Sequence, residues 1–257
     1  MISVFVKSTL LALFSVILMM TAQAFLHTDK YLADMGGISA YLVAFGALYG
    51  IISAFIVVEV WNKFNNTKYL IEQEAAGLEK LYLLSTYFHD KKFSEKVYAN
   101  VKTYISIIVD NNFKHLKKGK KHPAEEQAFD QLAQDINHVK FDDDHDGQVF
   151  GLIVDHYANL AQTRTERLHK CILRLPLPIR VFFYASSFFM VITFIFMPFV
   201  NIYYGTLVTG TFVFSLALLI YIIEDLDNPF FGDMWHITPE TFKDSLTHIE
   251  EKYTALS

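Results

Sequence analysis

The stretch that decides the fold is residues 181–223, VFFYASSFFMVITFIFMPFVNIYYGTLVTGTFVFSLALLIYII, 43 positions without an Asp, Glu, Lys or Arg. A hydrocarbon core about 30 Å thick is crossed by roughly 20 apolar residues of helix, so this run is twice a single span. Pro198, followed by Asn201, Tyr203, Tyr204 and Gly205, supplies turn chemistry near its midpoint. The reading is a helical hairpin, 181–199 and 206–223.

Working outward, two more uncharged runs stand at the other end of the chain, residues 8–26 and 35–58. The first imitates a secretory signal: Lys7, an apolar stretch over 10–20, then Ala22-Gln23-Ala24 as a small-residue cleavage site. Its apolar character continues through Phe25 and Leu26, which favours a retained span, with cleavage of residues 1–24 as the open alternative. The second run ends at Glu59, with Trp61 where an interfacial anchor belongs. Its small residues Ala44, Gly46, Ala47, Gly50, Ser53 and Ala54 allow close helix approach. Of the 22 Lys and Arg residues, 18 fall between Lys63 and Arg180. The positive-inside rule therefore makes the middle of the chain cytoplasmic, and with four spans both termini too.

The expected architecture is all-α: an integral membrane protein with four transmembrane helices and a cytoplasmic helical bundle. Residues 1–61 hold spans one and two, at about 8–26 and 37–59. Residues 62–178 form the cytoplasmic domain, 179–224 the hairpin, and 225–257 a cytoplasmic turn and helix. Within the middle segment apolar residues recur at helical spacing: Ile71, Ala75, Leu78 and Tyr82; Val97, Val101, Tyr104 and Ile108; Phe129, Leu132, Ile136 and Val139; then Ile153, Tyr157 and Leu160. Pro123, with Glu125 and Glu126 in the next turn, starts the third of these helices. The basic run Lys114, Lys117, Lys118, Lys120 and Lys121 reads as a solvated loop or a contact for anionic lipid.

Composition excludes several functions. A net charge of −5 gives no basic surplus for a phosphate backbone, so no nucleic-acid partner is expected. The single cysteine, Cys171, has no partner for a disulfide or a zinc cluster. Ten histidines include no H-E-x-x-H, and the chain has no G-x-S-x-G, P-loop or G-x-G-x-x-G. Neither an enzyme nor a cofactor is expected. Asp142, Asp144 and Asp146 before Gly147 match the opening of a calcium loop, but its twelfth position is Ile153 where a bidentate Glu belongs, leaving an acidic helix start as the plainer reading.

Past the last span, Glu224-Asp225-Leu226-Asp227-Asn228-Pro229-Phe230-Phe231-Gly232-Asp233 sets four carboxylates in a turn at the membrane edge. Its D-x-P-F-x-G element at Asp227 to Gly232 joins two others. One is E-A-x-x-L-x-x-L-Y from Glu74 to Tyr82; the other is R-x-x-R-L at Arg164 and Arg167-Leu168, closing in Leu175-Pro176. Together, over roughly residues 37–246, they resemble the bacterial bestrophin-like membrane family, related to bestrophin anion channels. Trp61-Asn62-Lys63-Phe64 is similar to a Trp-Asn pair of bestrophins at the end of span two. The resemblance implies a homo-oligomer, a pentamer, in the bacterial inner membrane, passing small anions through a pore lined by span two. Bestrophins carry N-P-F-G followed by an acidic cluster that clasps calcium. Here Asn228-Pro229-Phe230 matches, Phe231 intervenes, and only Asp233 follows Gly232. Calcium on Asp225, Asp227 and Asp233 is thus left as a ligand to be tested.

On that reading Ile51, Ile52, Phe55 and Ile56 form a dewetting constriction. The span itself holds no Lys or Arg to attract anions. The reading of another class is a non-conducting membrane scaffold or sensor whose cytoplasmic helices bind a partner.

Overall fold

The computed structural model describes residues 2–26, 35–88, 90–112, 123–140, 144–230 and 232–256. These fold into eight α-helices: α1 (Ile2–Leu26), α2 (Met35–Ser85), α3 (Lys91–Ile107), α4 (Pro123–Asn137), α5 (Asp144–Ile172), α6 (Leu177–Phe196), α7 (Ile202–Asp227) and α8 (Glu240–Leu256). A π-helical turn, Ile108–Asn112, follows α3, and no strand occurs among the described residues. Among the described residues four helical stretches are long and apolar enough to cross a membrane. Two compact units emerge: Met1–Lys63 with Arg174–His236, and Phe64–Leu173 with Ile237–Ser257.

The first unit packs α1 along α7. Phe5 meets Phe214 with ring centroids 6.4 Å apart, and the Thr209 hydroxyl reaches the Met19 sulfur at 3.2 Å. A Cβ on Gly210 would stand 3.3 Å from Val16, so the glycine sets how closely the two helices approach. A second core gathers Tyr49 and Ile56 of α2, Phe183 and Met190 of α6, and Leu216 and Ile223 of α7. Tyr49 stacks on Phe183 at 5.6 Å, and its hydroxyl is 2.8 Å from the Ser187 oxygen, which satisfies a polar atom among apolar neighbours.

The hairpin departs from the expected boundaries at all four helix ends. Helix α6 begins at Leu177 rather than 181, because Pro178 sits in its first turn, where a missing N–H costs nothing. It ends at Phe196, with Met197 extended ahead of Pro198. Tyr203, Tyr204 and Gly205 belong to α7 rather than to the turn: Asn201 caps that helix by accepting from the Tyr203 and Tyr204 N–H groups at 3.0 and 3.3 Å. At the far end α7 runs one turn past Ile223, so Glu224, Asp225 and Asp227 are helical.

In the second unit the apolar stripes are the buried faces. Ile71, Ala75, Leu78, Tyr82, Val97, Val101, Tyr104, Ile108, Phe129, Leu132, Ile136, Ile153 and Leu160 are all buried, whereas Tyr157 is half-buried and so is Val139, which lies beyond the end of α4. Stripe one and span two are parts of a single 51-residue helix, α2. Leu160 comes within 2.8 Å of a Cβ built on Gly77, so α5 seats on α2 only where the side chain is missing. His156 uses the same approach, its Nε2 lying 2.8 Å from the Gly77 carbonyl.

Candidate functional site

The expected constriction lies wholly on α2, but its four residues do not share one face. Ile51 and Phe55, one turn apart, are 58% and 71% exposed. Ile52 is partly buried against the core cluster, and Ile56 is one of that cluster's members. Leu48 and Val58 extend the outward stripe, giving 48, 51, 55 and 58 at helical spacing. Trp61, further along α2, meets Trp235 edge to face at 6.2 Å.

The turn after α7 is organised by two aspartates. Asp225 accepts three backbone N–H groups, from Asp233 at 2.6 Å on Oδ1 and from Met234 and Trp235 at 2.8 Å on Oδ2. The loop thus winds around one carboxylate. Gly232 is needed here for room: a Cβ there would meet the Trp235 carbonyl oxygen at 2.1 Å and the Asp225 carboxylate at 2.9 Å. Asp233 in turn accepts from the Ser3 hydroxyl at 2.9 Å and Lys7 Nζ at 3.2 Å, tying the loop to the first turns of α1.

Asp227 is the second organiser. Its Oδ1 accepts from Lys63 Nζ at 2.8 Å and from the Leu175 N–H at 2.9 Å, and its Oδ2 from Arg180 Nη2 at 2.6 Å. Its carbonyl oxygen accepts from Lys63 Nζ at 2.9 Å and from Arg174 Nη1, whose Nη2 reaches Asn228 Oδ1 at 2.8 Å. Cations therefore meet both the carboxylate and the negative end of α7. Burial pushes the Lys63 pKa down against the pull of Asp227, and the charges of Arg174 and Arg180 push the same way as burial. Pro229 and Phe230 are buried beneath this corner.

Asp225 and Asp227 direct their carboxylates to protein donors, so a calcium ion at Asp227 would have to displace Lys63 and Arg180. The residues present do not fit that ion. Asp146 is buried at the start of α5, Asp144 opens that helix, and Asp142 lies outside the described residues, as does the basic run 114–121. Among the described residues no three His, Cys, Asp or Glu side chains are grouped to hold a metal.

The second unit also holds a charged centre. Glu74 of α2, Glu125 of α4 and Arg167 of α5 are at most 1% exposed. Arg167 Nε pairs with Glu74 Oε2, and its Nη2 lies 3.2 Å from Glu74 Oε1 and 2.5 Å from Glu125 Oε1. The Tyr104 hydroxyl donates to Glu74 at 2.5 Å, and Arg164 stands 3.5 Å from Glu125. Burial pushes the Arg167 pKa down, but the two carboxylates outweigh it and hold the guanidinium charged. Burial, reinforced by Glu74, raises the Tyr104 pKa well above the ordinary tyrosine value, which keeps it a neutral donor. The signal was available: Glu74 is in phase with Leu78 and Leu81, and Arg164 and Arg167 with Leu160 and Cys171, so charges stand where helices bury.

Two of the three sequence motifs thus converge here, as Glu74 and Arg167, and the third makes the Asp227 corner. The sequence profile of the Bestrophin-like domain matches residues 9–242. The chain belongs to the bestrophin-like family. No curated protein gives a significant match. Among solved structures, a bacterial bestrophin homologue from Klebsiella pneumoniae in a point-mutant form superposes with a TM-score of 0.67 at 12% identity, covering 95% of this chain and 99% of that one. The Klebsiella pneumoniae homologue phased on zinc gives 0.64 at 11% identity over 97% of both chains. A mutant crystal structure described as a membrane protein gives 0.69 at 11% identity, covering 95% of this chain and 98% of that one. At these identities the likeness is one of fold, and this bestrophin-like chain shares it over nearly its whole length.

Proposed function

We propose that this bestrophin-like protein is an oligomeric channel of the bacterial cytoplasmic membrane, passing small anions such as chloride along a path lined by α2. The observation that carries the reading is the stripe Leu48, Ile51, Phe55 and Val58: apolar, exposed, and backed by a packed face that includes Tyr49 and Ile56. Four spans do not enclose a conduit alone, whereas copies of such a stripe around an axis form a hydrophobic constriction that gates by dewetting. Ile51 and Phe55 then face the path, and Ile52 and Ile56 hold them from behind. The distribution of Lys and Arg supports residues 62–178 and both termini on the cytoplasmic side, and the family relation supports a pentamer.

Chloride flux into proteoliposomes containing the full-length protein tests this. Flux above empty vesicles that changes severalfold with Phe55→Ala is expected. Absence of flux, with and without calcium, moves the function to a non-conducting scaffold.

A further inference from the structure

Between Met35 and Lys63, α2 carries two charged residues, Glu59 and Lys63, one turn apart. Their surroundings are opposite. Lys63 is turned into the protein, its side chain 12% exposed and its Nζ 2.8 Å from the Asp227 carboxylate. Arg174 and Arg180 also donate to Asp227, on its carbonyl oxygen and its carboxylate. Glu59 is exposed and, among the described residues, makes no hydrogen bond or ion pair. It lies one turn beyond Phe55, about 6 Å further along the helix axis, and the two side chains border the same cleft. Leu48, Phe55 and Glu59 fall at helical spacing along one edge of the exposed stripe. The charge that this end of the stripe presents outward is therefore the acid, while the base one turn on is spent on Asp227.

We propose that Glu59 sets the charge selectivity of the path, its copies forming a ring of carboxylates at the end of the apolar constriction that draws cations and opposes anions. In one subunit a lone exposed acid is an ordinary solvated charge. Repeated around an axis beside a narrow apolar passage, its field adds across copies, and the low-dielectric walls focus it. The apolar residues before it carry no charge to offset that field, and Lys63 directs its ammonium away to Asp227. The inference rests on the placement of α2 along the path in the preceding section and narrows what that path selects. Chloride crosses against the ring, and potassium accompanies it.

Full-length protein in proteoliposomes, with chloride and potassium flux measured on the same preparation, provides the test. The parent should pass both ions, Glu59→Gln should raise the chloride-to-potassium ratio about tenfold, and Glu59→Asp should keep the parent's ratio. Because the effect is one of field, the parent's ratio should also climb toward that of Glu59→Gln between about 0.01 and 1 M KCl, as the screening length falls from about 30 to about 3 Å. A merely structural role for the side chain would not follow ionic strength. A ratio unmoved by Glu59→Gln overturns the proposal, as does a parent that excludes potassium. Either result leaves conduction along α2 standing where Phe55→Ala alters the flux, whereas absence of flux of both ions overturns the two readings together.

Discussion

Arg167 is the residue on which most rests for the second unit. Two carboxylates from two helices face one guanidinium in the absence of solvent, and removing the cation strands both charges, whereas a matched apolar replacement of all partners would not. Arg167→Met should therefore lower stability by about 3–5 kcal/mol, measured by thermal unfolding in detergent. Lys102→Met, which breaks a solvent-exposed pair with Glu250, should change little. None of the three buried charges is visible as a pair in the sequence. Glu74, Glu125 and Arg167 are separated by tens of residues, and only the phase of each against its apolar stripe signals that a partner is required. Glu125 shows the limit: its place in the first turn of a helix is explanation enough, and that explanation hid its burial against Arg167.

At the scale of the element, α5 on α2 is the informative packing. Gly77 and His156 form one contact, and His156 has its pKa lowered from 6.5, chiefly by burial, with the Gly77 carbonyl opposing in part and Lys80 adding to the decrease. The folded state thus binds its proton less readily than the unfolded state, so stability is level above the unfolded value and falls as pH drops through 6.5 toward the folded value. The melting temperature should decrease between pH 7.5 and 5.5, and His156→Gln, which keeps a donor for the carbonyl without a titratable ring, should flatten the decrease relative to the parent. Helix existence was legible at this scale because the apolar period is strong. The ends were less so: the extra turn of α7 follows from Asp225 and Asp227 finding partners off the helix, which no local signal announces.

For the whole molecule, the question of whether the first segment is retained turns on what touches it. Met19 is fully buried, Gln23 donates to the Met197 carbonyl at 3.1 Å, and Ser3 and Lys7 hold Asp233. A chain cut after Ala24 would lose the helix that covers α7. Intact-mass measurement of the purified protein should accordingly find residues 1–24 present, and deletion of them should abolish recovery of folded protein. The number of apolar helices was readable from charge-free runs alone. The pairing of α1 with α7 was not, since helices of similar composition offer several partners; Gly210 against Val16 is one of the contacts it makes.

The Asp227 corner also imposes an order on biosynthesis. Lys63 must wait for a partner 164 residues downstream, and Lys7 for one 226 residues away. At elongation rates of about 5–20 residues per second the first interval is roughly 8–30 s, during which Lys63 lacks the carboxylate it will share with Arg180. Synthesis that stops between residues 202 and 226 leaves all four long apolar helices begun and this corner unclosed.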